Sequence, residues 1–260
     1  MYRNLPQITK NILIINLIVF FADFVMERYG INFTQYFGLH YITSGDFHFW
    51  QPLTYMFMHA NFSHIFFNMF AVLMFAPAIE REWGSKRFLI YYLVTGLGAA
   101  VVQEAVWALN IHNIISPLNA ALFAERVVTV GASGAVFGIL LAFGWMFPDV
   151  RMFIMFIPIP IRARTLVIIY ALIELFTGIA PSADNIAHFA HLGGMLFGLL
   201  LILWWRFRGH DGFDSNPWGD GKIKRWLQNL WEKIRSGRHP RINRDKTQSN
   251  NRDYHYHEPL

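Results

Sequence analysis

Cysteine is absent from this chain of 260 residues. Disulfides, thiolate-held metals and a cysteine nucleophile are therefore excluded. Charge is scarce as well: Asp, Glu, Lys and Arg make up 15% of the residues, against about 25% in an ordinary soluble domain. Hydrophobic residues make up 54%, and the mean hydropathy is +0.30. That balance points to a membrane rather than to an oversized soluble core. There is no HExxH run for a zinc protease. No pair of aspartates falls inside the apolar segments to form a carboxylate dyad. The formal net charge of +5 is no sign of nucleic acid, because 12 of the 22 Lys and Arg stand at or beyond Arg206. The rest of the chain is close to neutral.

What is present is length of apolar run. A helix that crosses a bilayer needs about 20 mainly apolar residues. Six segments qualify, at about 9–27, 63–79, 87–108, 131–147, 163–180 and 184–205. The first lacks a small-residue cleavage site and closes on Asp23, Glu27 and Arg28, so it reads as a retained span. Arg3 and Lys10 stand at its head. Arg81, Lys86 and Arg87 lie between spans 2 and 3, and Arg151, Arg162 and Arg164 between spans 4 and 5. The opposite side keeps Arg28 and Arg126. By the positive-inside rule both termini are cytoplasmic, and spans 2, 4 and 6 run inward from the outer face.

The connections differ in character. The first outer loop, 28–62, is long and aromatic and is expected to lie half-sunk in the membrane interface. The second, 109–127, reads as an ordinary polar connection. The inner stretch FIMFIPIPIRAR is too short and too broken by proline to span. Residues 1–206 form the expected core, and 207–260 a basic cytoplasmic tail. Within that tail, 222–235 place Ile223, Trp226, Leu227, Leu230 and Ile234 on one helical face. That suits an amphipathic helix on an anionic membrane surface, or equally a solvated helix.

Ionisable and strongly polar groups inside spans are costly and stand as functional candidates. His64 and Asn68 lie four apart in span 2, on one face. They could donate two hydrogen bonds to a single oxygen, or serve as interhelical glue. Span 4 opens on TVGASGAVFG, with Gly131, Gly134 and Gly138 around one hydroxyl, Ser133. Each glycine costs roughly 1 kcal/mol against alanine inside a helix, so a packing reason is needed. Gly134 and Gly138 form a small-xxx-small face. Gly194 and Gly198 form another in span 6, following His191. Close packing of the two faces would bring Ser133 beside His191 at similar depth. A hydroxyl next to an imidazole is the minimum for an activated nucleophile. The backbone N–H of Ser133, with His64 and Asn68, would then serve the developing oxyanion. No Asp or Glu is expected as a third member, and Glu174 in span 5 has no assigned role. His188, one turn further out than His191, is expected to need no partner.

In combination, GASG, HLGGMLFG and HANFSHIFFN resemble the rhomboid intramembrane serine proteases. The resemblance covers about 9–205 and leaves out the tail. It implies a catalytic serine at Ser133 and a catalytic histidine at His191, the start of an HxxGxxxG pattern that His188 does not fit. It implies oxyanion residues at His64 and Asn68, and a loop pair at Glu80 and Gly84 in EREWG. Two positions depart from the family: Trp50 is followed by Gln51 where an arginine is usual, and Phe137 stands where a tyrosine commonly follows the serine by four. These departures bear on loop anchoring and ring stacking, not on the chemistry.

The expectation is an all-α membrane protein with six transmembrane helices in a rhomboid-type bundle. It is a serine endopeptidase acting through an acyl-enzyme on single-span or other membrane proteins, with no metal, cofactor or nucleic acid. Its place is the bacterial inner membrane, with the site facing outward. The alternatives are a rhomboid-like pseudoprotease that binds membrane proteins, and a small-solute transporter lined by His64, Asn68 and His191.

Overall fold

The computed structural model describes residues 5–113, 116–154, 157–179 and 185–208. The tail from 209 onward, including the expected helix at 222–235, lies outside the described residues. In chain order the elements are α1 (Gln7–Glu27), α2 (Phe33–Phe37), β1 (Leu39–His40), α3 (Gln51–Thr54) and a 3₁₀ turn (Tyr55–Phe57). They continue as α4 (Phe62–Trp83), α5 (Ser85–His112), α6 (Pro117–Arg126), β2 (Val128–Thr129) and α7 (Ser133–Met146). The last are β3 (Arg151–Ile154), β4 (Ile157–Arg162), α8 (Ala163–Ile179) and α9 (Asn185–Phe207).

Each of the six apolar segments carries one of the long helices. By length and composition four of them can cross a membrane: α1, α4, α5 and the stretch 188–207 of α9. The protein is an all-α integral membrane protein. Its outward faces are apolar. Phe62, Phe66 and Phe70 of α4 are exposed and their rings stack along the helix. On α8, Ile168, Ile173 and Phe176 are exposed. Faces this apolar would aggregate in water and suit lipid.

The short helix α7 is the hub, packed by α4, α5, α8 and α9. Its inward positions are small or branched: Gly134, Ala135, Val136, Gly138, Ile139, Ala142 and Gly144 are all buried. It has 14 residues, about 21 Å at helical rise, less than the roughly 30 Å hydrocarbon thickness. A helix that short leaves room above its first residue for the chain to dip inward.

Local chemistry sets the ends. The Asn61 side chain accepts from the His64 N–H at 2.9 Å and starts α4. Such a cap is worth about 1 kcal/mol. Gly84 ends the helix at φ +77°, a conformation glycine takes without penalty, and α5 begins at the next residue. Glu80 closes this joint. Its carboxylate accepts from the N–H groups of Ile8 (2.9 Å) and Thr9 (2.7 Å), and from the hydroxyls of Thr9 (2.7 Å) and Ser85 (2.6 Å). Burial of that charge is tolerable because its acceptor sites are filled.

The first outer loop is a folded structure, not a linker. Gln51, fully buried, accepts from the His40 N–H at 3.2 Å and donates to the carbonyls of Asp46 (2.8 Å) and Tyr36 (3.4 Å). Trp50 donates its indole N–H to the Tyr36 carbonyl at 2.9 Å. Gln51 thus ties the loop together where the family uses arginine. β1 then pairs antiparallel with β2, Leu39 opposite Thr129, which fastens the loop to the segment leading into α7.

One connection differs from the sequence reading. Within 109–127, α5 runs on to His112 and α6 forms at Pro117–Arg126, with Ser116 as cap and proline in the first turn. Proline suits that position because its missing N–H has no helical partner there. The Glu125 carboxylate of α6 accepts from Gly45 N–H (3.1 Å) and the Ser44 hydroxyl (3.2 Å) of the first loop. In the inner stretch, expected not to span, β3 pairs antiparallel with β4, Arg151 opposite Arg162. A two-stranded ribbon is all edge, so its prolines forfeit little.

Candidate active site

Ser133 is the first residue of α7, not the third residue of a span beginning at 131. The leading N–H groups of a helix lack intrahelical acceptors, and the helix dipole makes that end electropositive. The Ser133 hydroxyl therefore sits where a negative oxygen is favoured.

Gly131, expected on a helix-packing face, lies outside the helix in the turn before it. Its φ is +130° and its N–H donates to the Tyr55 carbonyl at 2.9 Å. A Cβ at this position would fall 2.7 Å from His64 Nε2 and 3.6 Å from Ser133 Oγ. Glycine there is what admits His64 to the serine's side. Of the other glycines, Gly134 and Gly194 meet across the α7–α9 crossing: a Cβ on Gly194 would run into the Gly134 carbonyl. Gly138 and Gly198, expected on the same seam, face α5. A Cβ on Gly138 would meet Thr95, and one on Gly198 would meet the Tyr91 hydroxyl. Tyr91 donates to the Gly138 carbonyl at 2.8 Å. The small residues therefore join three helices rather than two.

This crossing puts Ser133 Oγ 2.8 Å from His191 Nε2. Phe137, one turn down α7, stacks on the His191 ring with centroids 4.4 Å apart and planes 11° apart. Phenylalanine performs the stacking where the family uses tyrosine. On the far side of the imidazole, Nδ1 lies 2.9 Å from Glu174 Oε2. The expectation that no carboxylate stands behind the histidine is corrected: α8 carries Glu174 against α9. His188 also departs from expectation, since its Nδ1 reaches the same Oε2 at 2.6 Å. An ionised carboxylate only accepts, so both Nδ1 atoms carry protons. His191 Nε2 is then left with its lone pair toward Ser133.

His64 and Asn68 project from α4. Asn68 is buried, and its Nδ2 has no hydrogen-bond partner. An unsatisfied buried donor is costly, unless something passes before it. His64 stands edge-on to His59, ring centroids 5.0 Å apart. His59 went unnoticed in the sequence. It is buried, and burial, with His64 beside it, pushes its imidazolium down to about 3 against a smaller upward pull from the Phe57 backbone. Its one signal was its place in the run MHANFSH.

Glu174, His188 and His191 are also a metal-ligating set, their ligand atoms within 4.8 Å of one another. The contacts of 2.6 and 2.9 Å are too short for two ligands on one zinc, which lie about 3.3 Å apart at tetrahedral bond lengths. They are hydrogen-bond distances.

The architecture agrees with comparisons to known proteins. A family model for the rhomboid domain matches residues 46–207. The chain is 31% identical over 173 residues to RHOMBOID-like protein 4 of Arabidopsis thaliana, covering 66% of this chain and 38% of that protein. It is 30% identical over 199 residues to the chloroplastic Rhomboid-like protein 11 of the same plant, covering 74% and 62%. It is 31% identical over 153 residues to "Putative rhomboid protease YdcA" of Bacillus subtilis (strain 168), covering 58% and 65%. The match spans less than two thirds of each of these relatives. With a domain match over more than half its length, this chain belongs to the rhomboid family.

Proposed function

We propose that the protein is an intramembrane serine endopeptidase that cleaves transmembrane segments of other membrane proteins. The observation that carries this reading is the 2.8 Å contact between Ser133 Oγ and His191 Nε2 at the start of a buried helix. His191 accepts the serine proton as Oγ bonds to the scissile carbonyl carbon. The oxyanion meets the N–H groups at the head of α7, the Asn68 amide and His64. His191 then protonates the leaving amine, and the peptide's N-terminal part remains as an ester on Ser133. Water, deprotonated by His191, then bonds to the ester carbon; the bond to Ser133 Oγ breaks, and His191 returns the proton to Oγ.

The distribution of basic residues supports termini on the cytoplasmic side and a site opening toward the outer face of the membrane. A pseudoprotease of the same fold has no use for the intact serine–histidine pair, and a transporter has none for a stacked, oriented imidazole.

The test is fluorophosphonate labelling of the purified full chain, beside cleavage of a panel of single-span substrates in bilayers. Wild type should label and cleave, and Ser133→Ala should do neither. Activity in Ser133→Ala above about one-hundredth of wild type would exclude the serine as nucleophile. A folded wild type that binds single-span proteins without labelling would be a pseudoprotease.

A further inference from the structure

We propose that Glu174 is a positioning residue for His191, and that His188 steadies Glu174 by donating to the same carboxylate oxygen. The proposal rests on the protease reading of Ser133 and His191 and extends it from a dyad to a hydrogen-bonded chain of four side chains.

The geometry is continuous. Ser133 Oγ meets His191 Nε2 at 2.8 Å, and His191 Nδ1 meets Glu174 Oε2 at 2.9 Å. The two bonds leave opposite nitrogens of one ring. A neutral imidazole carries its proton on either nitrogen, and only the Nδ1–H form can accept from the serine. Phe137 fixes the plane of the ring by stacking. It says nothing to the ring about where the proton sits. A carboxylate facing Nδ1 does, since it accepts and cannot donate. Once the serine proton has moved, the carboxylate also faces a positive imidazolium, which it stabilises.

His188 gives the arrangement its second anchor. It lies one turn from His191 on α9, and both Nδ1 atoms converge on Oε2. The rings stand at 88° to each other, 6.2 Å apart. One oxygen accepting from two rings cannot swing away from either without losing a bond. A buried carboxylate in an apolar bundle is costly, and a merely structural contact here would be met as well by glutamine. The ionisable groups facing His191 are Glu174 from α8, His188 from α9 and His64 from α4.

The experiment compares wild type with Glu174→Gln, Glu174→Asp and His188→Ala in the full chain, in bilayers. Three quantities are read: kcat against KM, the pH–rate profile over about pH 5–9, and the imidazole nitrogen spectrum of His191. Glu174→Gln should lower kcat by about 10²- to 10⁴-fold, the range set by neutralising the carboxylate behind a catalytic histidine, with KM little changed. The acidic limb of the profile should move to lower pH, because the imidazolium has lost its counter-charge. His188→Ala should lose less than about tenfold, its Glu174–His191 bond being intact. Glu174→Asp should fall between, with the limb moved the same way, and it serves if Glu174→Gln does not fold. In wild type the His191 spectrum should show the Nδ1–H form, and Glu174→Gln should shift it. Glu174→Gln within threefold of wild type, with an unmoved limb and an unchanged spectrum, would overturn the proposal. A wild type that neither cleaves nor labels would sink the protease reading instead, and the spectrum would still decide whether Glu174 sets the tautomer.

Discussion

Gly194 of α9 lies against the backbone carbonyl of Gly134 in α7, with no room for a Cβ between them. Gly134 follows the serine by one residue and Gly194 follows the histidine by three. The contact therefore sets the spacing of the reactive pair. In Gly194→Ala the added carbon meets backbone, which cannot rotate aside. The helices must part, at a cost of about 1–3 kcal/mol for overpacking. Activity should fall further than stability, by at least tenfold in protein that remains folded. Thermal melting alongside cleavage checks this. An alanine variant as active as wild type would show that the crossing tolerates separation.

Asn68 and His64, proposed above as oxyanion donors, carry their own expectation. Asn68 keeps an unpartnered buried amide, and His64 flanks Gly131 beside the serine. Asn68→Ala and His64→Ala should each lower kcat by about 10²-fold, as for loss of one oxyanion donor. Labelling by fluorophosphonate should fall less than turnover does. Normal cleavage by both variants would assign these side chains to helix packing.

The two histidines of α9 separate cleanly. His191 bonds to Ser133, and His188 bonds only to Glu174 among the contacts described. His191→Ala should abolish both cleavage and labelling, since the serine loses its base. His188→Ala should lose less than about tenfold of either, since His191 keeps its bond to Glu174. A dead His188→Ala beside an active His191→Ala would reverse the register of α7 and α9.

Burial of His59 should make the fold acid-sensitive. In the unfolded chain its imidazole takes a proton near 6.5, and in the folded protein burial holds it off until about 3. The unfolded state therefore binds the extra proton between those values, and stability falls as pH drops through that window. Above it the contribution is constant. The melting temperature should decline from pH 6.5 toward about pH 4, where the unfolded chain is charged and the folded one is not. In His59→Phe that decline should be visibly shallower. Parallel slopes for the two proteins would remove His59 as the cause.

The amino-acid sequence by itself determined the membrane, the helical segments and the candidate pair, Ser133 and His191. Runs of apolar residues can satisfy their backbone in lipid only as helices, so composition and run length suffice. Ser133, His191 and the glycines sit in local patterns that survive without a fold. Three things were decided only by the tertiary structure. Glu174 is 17 residues from His191 and 14 from His188 along the chain, and no local pattern links it to either. Only the packing of α8 on α9 brings them together. Gly138 and Gly198 looked like one seam with Gly134 and Gly194, yet they turn to α5, because a central helix presents a different stripe to each neighbour. Gln51 anchors the first outer loop because its amide both donates and accepts inside the folded loop. Local sequence sets what each side chain can bond; the crossing of helices selects the partner.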